Sequence, residues 1–164
     1  MLLDNLLSLL REEVDLYRSL LLIIEKESET IIKPRVDLLN EVNIEKECLV
    51  LRVRRTEERV VGILDRIART MGVSASSLTL KFLSQSVEES YASQLRICRH
   101  RLIELVERIR TANEKNHQVI THSLGLIKES MSVLKGLLFP DRVYYSSGKF
   151  QEKERSGRIY SYNV

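Results

Sequence analysis

Leu3, Leu7, Leu10, Val14, Tyr17, Leu21, Ile24, Ser28 and Ile31 are spaced alternately by four and three residues. That spacing holds one seam of a helix against a partner helix over its whole length. Leu6, Leu9, Leu20 and Ile23 widen the stripe beyond one seam, which suits a helical bundle better than a two-stranded coil. The rest of the 164 residues agrees with this start. The chain has only two prolines, no Trp, few glycines and few aromatics, and it is rich in Leu, Ile, Val, Glu, Arg and Lys. Such a composition favours long helices over sheet.

The first helix is expected to end near Lys33, because the residue before Pro34 is pushed away from α geometry. Pro34 suits the first turn of a second helix, where its missing N–H costs little. The second seam is Leu39, Val42, Leu49, Val53, Val60, Leu64, Ile67 and Met71, and Gly72 follows as a stop. Its opposite face carries Arg52, Arg55, Glu58, Arg59 and Arg66. After the loop "VSASS", the segment "LTLKFLSQS" reads as one or two amphipathic turns, with Leu78, Leu80, Phe82 and Leu83 set to cap the bundle end. Ser86 and Glu89 have the spacing of a capping box at the start of a third helix. The third seam is Tyr91, Leu95, Cys98, Leu102, Leu105, Ile109, Ala112 and Asn116. The apolar positions then slip to Ile120, Leu124, Ile127, Met131, Leu134 and Leu138, a stutter that locally unwinds a coiled coil. Asn113 and Asn116 sit at this change. They form either a buried register-fixing polar seam or an exposed polar pair.

These elements predict an all-α fold, an elongated antiparallel bundle of three long helices with a short helix in the second connection. The domain covers 1–139, and 140–164 is a mobile C-terminal tail rich in Tyr, Ser, Gly and charge. The second helix is about 55 Å long and the third about 80 Å at 1.5 Å per residue. Short connections make neighbours antiparallel, so the turns from Leu124 to Phe139 are expected to overhang. An apolar surface of that kind must fold back, pair with a second copy or bind a partner.

Other chemistries find little support. The net charge is only +3, and basic and acidic residues interleave, as in "RRTEER". A solvated face explains this better than nucleic-acid binding, and no nucleic-acid partner is expected. Glu114 and His117 match the Glu-x-x-His spacing of bundle di-iron sites, but those sites need two copies. Cys48 and Cys98 lack metal spacing, and no phosphate loop or catalytic triad pattern occurs. No enzymatic activity, metal or cofactor is therefore expected. The longest strongly apolar run, Leu20 to Ile24, is too short to span a bilayer, and the N-terminus lacks the basic start of a signal peptide. A cytoplasmic protein is expected.

The order of short motifs resembles the FlgN family of flagellar type III export chaperones. A leucine-rich first helix is followed by "IEKECLVLRV", then Asn113 and Asn116 in "TANEKN", then "SLGLIKESMSVLKGL". Tyr144 and Gly148 come next, and "SGRIYSYNV" resembles the family's Gly-basic-Ile ending. The chain departs from smaller members in its longer tail and the inserted "SASSLTLKFL". The resemblance implies a cytoplasmic chaperone for the C-terminal helical segments of the hook–filament junction proteins FlgK and FlgL. It implies delivery to the export gate protein FlhA at the inner face of the export apparatus. Ile120, Leu124, Ile127, Met131, Leu134 and Leu138 would then bind substrate, and Tyr144, or Tyr145 after a one-residue slip, would dock at the gate. The alternative is a self-assembling structural coiled coil or adaptor, for which a homodimer is expected.

Overall fold

The computed structural model describes residues 1–33 and 35–138, and all regular structure in them is helical. α1 spans Leu2–Ile32, α2 Val36–Met71, α3 Leu80–Ser86 and α4 Glu89–Leu138, with a 3-10 turn at Ala75–Ser77. Residues 1–123 form one compact unit, and a second begins at Leu124. The expected all-α bundle is observed. Pro34, Phe139 and the expected tail, 140–164, lie outside the described residues.

α1 is buried along two adjoining seams. Leu7, Leu10, Val14, Leu21 and Ile24 of the first heptad series are buried, with Tyr17 half-buried. The second series is Leu6, Leu9, Glu13, Leu16, Leu20, Ile23, Glu27 and Thr30, and every member is buried. Its spacing is again alternately three and four, one residue out of phase with the first. Two seams let one helix serve two partners. Leu16, Leu20, Ile23 and Ile24 pack with Val42, Leu49 and Val53 of α2. Val14 and Leu21 pack with Leu105 of α4, flanked by Leu102, Ile109 and Ala112. Each such buried Leu, Ile or Val contributes about 1.5–3 kcal/mol.

Side-chain bonds fix the chain directions. Tyr17 Oη donates to Glu57 Oε1 at 2.7 Å and Lys46 Nζ to Glu27 Oε2 at 2.7 Å, so α2 runs antiparallel to α1. Tyr91 Oη donates to Asp4 at 2.9 Å and Asn116 Nδ2 to the Ile24 carbonyl at 3.2 Å, so α4 runs parallel to α1.

The far end is closed by the α2–α4 connection. Gly72 ends α2 with φ of 68°, a conformation that penalises any side chain. The Val73 N–H there donates to the Ala68 carbonyl at 3.0 Å. Thr79 caps α3 by accepting from the Phe82 N–H at 3.1 Å. Leu78 and Leu83 close the core with Leu6, Leu10, Leu95 and Cys98, while Phe82 stays exposed. The capping box expected at Ser86 does not form. Ser86 is the last residue of α3, where its hydroxyl donates to the Phe82 carbonyl at 3.1 Å, and α4 starts at Glu89. Burial of Leu83 extends α3 through Ser86, so the serine is used at a helix end rather than a helix start.

Of the two buried carboxyls in the α1–α2 seam, Glu13 and Glu27, the first has an altered titration. Desolvation, with the nearby Glu57 charge adding to it, pushes Glu13 up from 4.5 to about 7. Glu57 itself accepts the Tyr17 hydroxyl, and burial followed by that bond raises the tyrosine well above its ordinary range. Folded Glu13 therefore holds its proton where the unfolded chain has released it. Its effect is absent below the unfolded value and becomes a destabilisation as pH rises towards 7. Stability should fall by on the order of 1–2 kcal/mol across that window, once the carboxylate's remaining hydration is allowed for. Urea unfolding of Glu13→Gln at several pH values should lack this decline; a decline equal to that of the parent chain would assign it elsewhere.

Candidate functional site

The last described turns of α4 carry apolar side chains and bury almost none of them. From Leu124 to Leu138 every residue is exposed except Gly125, which is half-buried. Leu124 is 52% exposed, Ile127 54%, Met131 65%, Leu134 54% and Leu138 69%. Their alternating three and four spacing places them on one strip. Leu126, Val133 and Leu137, also exposed, form a second strip beside it. At 100° per residue the two strips cover about half the helix circumference. Lys128, Glu129, Ser132, Lys135 and the two glycines hold the other half.

This segment stays helical through local means. Ser130 donates to the Leu126 carbonyl at 2.8 Å, satisfying its hydroxyl inside the helix. Gly125 and Gly136 each weaken the helix by about 1 kcal/mol relative to Ala. A Cβ on either would meet nothing within 4 Å. Ser130 lies between the two strips, and a helix that exposes such apolar strips is suited to receiving another amphipathic helix. Met131 adds a side chain that adapts to irregular partners.

Ile120 lies in the first unit and is 40% exposed. Asn113 is exposed and Asn116 is buried, so the two asparagines do not form one seam. Asn116 is the last buried residue of α4. Its amide donates to the Ile24 carbonyl and to Glu27 Oε2, both at 3.2 Å. The same Glu27 oxygen accepts Lys46 Nζ at 2.7 Å. One carboxylate oxygen thus joins α1, α2 and α4 at a single level. Glu27 and Lys46 were not anticipated as site residues. Glu27 could have been found from the seven-residue series Leu6, Glu13, Leu20, Glu27, which places two carboxylates in an otherwise leucine row.

Tyr144 and Tyr145 lie outside the described residues. Two surface grooves run along the junction of α1 and α4. One, of about 340 Å³, is lined by Arg11, Arg18, Gln94 and Arg101 over Val14 and Cys98; the other, of about 620 Å³, includes Leu21, Ile24, Glu107 and Lys115. Burial raises the Cys98 thiol, while Arg11 and Arg101 act in the opposite direction. Cys48 is exposed, and so are Glu114, His100, His117 and His122. Among the described residues no three His, Cys, Asp or Glu side chains come together as metal ligands. No described helix is long and apolar enough to cross a membrane.

A family model described as FlgN protein matches residues 1–152. No curated protein and no solved structure matches the chain.

The three-helix polar layer predicts a coupled pair of substitutions. Lys46→Met should cost about 1–3 kcal/mol, because it leaves a nearly buried carboxylate without its cation. Asn116→Ala removes the other donor to the same oxygen, so a double-mutant cycle in urea should show coupling above about 0.5 kcal/mol. Simple additivity would mean that the two donors act independently.

Proposed function

The chain belongs to the FlgN family and is a flagellar export chaperone, and from that premise we propose that it holds the C-terminal helical segments of the junction proteins FlgK and FlgL against the exposed strip of α4. The observation that supports this reading is the strip itself. Leu124, Ile127, Met131, Leu134 and Leu138 are all more than half exposed and spaced for a helical ligand. A substrate helix laid on it hides apolar surface on both molecules, so neither is left to associate with copies of itself. Affinity comes from that buried area, at roughly 25 cal/mol per Å² less the cost of ordering the substrate. Ile120 extends the apolar series by one turn.

Delivery is the second half of the proposal. The bound substrate is carried in the cytoplasm to the inner face of the export apparatus, where Tyr144, with Tyr145 as its neighbour, docks on FlhA. Separate residues for substrate and gate allow both to be held at once. A second copy of the chain is the competing occupant of the strip, and a homodimer would then block substrate.

The chaperone reading predicts that purified protein captures the C-terminal segments of FlgK and FlgL from the same source and loses them when residues 124–164 are removed. Ile127→Asp with Leu134→Asp should weaken capture at least ~100-fold, since two apolar anchors contribute about 1.5–3 kcal/mol each. Both residues are exposed, so circular dichroism should be unchanged. No capture by the full chain, alongside a stable dimer in sedimentation, would replace the chaperone reading with self-assembly.

Tyr144→Ala should spare substrate capture and lower affinity for the FlhA cytoplasmic domain. Equal FlhA binding by variant and parent would remove the tyrosine from that role.

A further inference from the structure

The second half of α2 gathers positive charge on one side. Between Arg52 and Arg69 there are six arginines, no lysine and three carboxylates, a net charge of +3. The entire chain is also +3, so everything outside this stretch sums to zero. In sequence the signs interleave, but the helix separates them. Arg52, Arg55, Arg59, Arg66 and Arg69 fall within about 100° of arc, in a row of about 25 Å. All five are exposed. Among the described residues only Arg59 of this row has an ion-pair partner, Glu12 at 3.3 Å. Of the three carboxylates, Glu57 is engaged by Tyr17, Asp65 is half-buried and Glu58 lies at the edge of the row.

Gly62 completes the row's heptad spacing at its centre. A Cβ there would meet nothing within 4 Å, so the glycine is needed neither for internal packing nor for an unusual backbone angle. Its effect is outward, as a low point where another helix backbone can approach closely. The arginines on either side work against α2 itself, since like charges three and four residues apart repel. Guanidinium forks favour bidentate carboxylate partners over the point contacts that lysine makes.

We propose that the Arg52, Arg55, Arg59, Gly62, Arg66 and Arg69 row of α2 is a second docking surface, which receives an acidic helix of another protein with carboxylates spaced alternately by three and four residues. The row shares no residue with the apolar strip of α4, and the proposal does not depend on what that strip holds. Charge complementarity selects the occupant. The chain's own tail is excluded, because 141–164 carries five basic and three acidic residues. A flat anionic membrane fits poorly, since it would also meet Glu58 and Asp65 beside the row, whereas a helix touches the narrow strip alone.

The test uses the full chain and a fluorescent alanine-based peptide of about 25 residues with glutamates at three and four spacing, matched to the row's length. Anisotropy should show salt-sensitive binding at least ~10-fold tighter than for a peptide of equal composition with its glutamates in one block. Arg52→Glu, Arg55→Glu and Arg66→Glu together should abolish binding without lowering the thermal melt, since among the described residues none of the three has an ion-pair partner to lose and their mutual repulsion is relieved. Gly62→Leu adds bulk but no charge, and it should weaken binding about tenfold by blocking close approach. Equal binding of spaced and blocked peptides, or no effect of Gly62→Leu, would reduce the row to diffuse attraction and overturn the proposal. So would preferential binding to phosphatidylglycerol vesicles, to duplex DNA or to a second copy of the chain.

Discussion

The two adjoining heptad seams of α1 are the constraint on which the rest of the first unit depends. A helix with a single seam would pair with α2 and leave α4 without a site. Because the second seam lies one residue out of phase with the first, α1 presents two apolar surfaces at a fixed angle. α2 takes one through Val42, Leu49 and Val53, and α4 takes part of the other through Leu105. The opposite directions of α2 and α4 then follow from the short connections.

Placed within that frame, the polar residues acquire definite roles. Glu27 meets Lys46 and Asn116 where all three helices come level, and displacing any one helix along its axis would break at least one of these bonds. Apolar contacts alone allow a four-three seam to slide by a heptad at modest cost. A buried donor that must meet one oxygen does not. Glu13, fourteen residues earlier on the same seam, has no such cation among the described residues and instead faces the Glu57 charge. Two carboxyls at equivalent positions therefore behave differently because of what α2 places opposite each.

Much of this was legible in the sequence. The seams of α1, α2 and α4 follow from counting fours and threes, and the end of α2 follows from Gly72. What was not legible concerned competition between neighbouring options. Ser86 could cap α4 or end α3, and burial of Leu83, a tertiary event, decided it. Asn116 already stood in the four-three series through Leu105, Ile109 and Ala112, but that Asn113 is exposed and does not share its seam came from the structure. The interleaved signs in "RRTEER" read as ordinary solvated charge because adjacent residues in sequence point to different sides of a helix. The stutter after Asn116 was visible, and it coincides with the last buried position of α4.

The parallel pairing of α1 with α4 also has a consequence for chain entropy. Tyr17 and Glu57 are 40 residues apart, whereas Asn116 and Ile24 are 92 apart. Loop-closure entropy grows only logarithmically, so the longer closure costs just about 0.7 kcal/mol more. The connection that delivers α4 can therefore lengthen at almost no entropic cost. Here the added residues offset even that by placing Leu78 and Leu83 in the core. A chain built this way can vary the turn between its second and last long helices without disturbing the seams on either side.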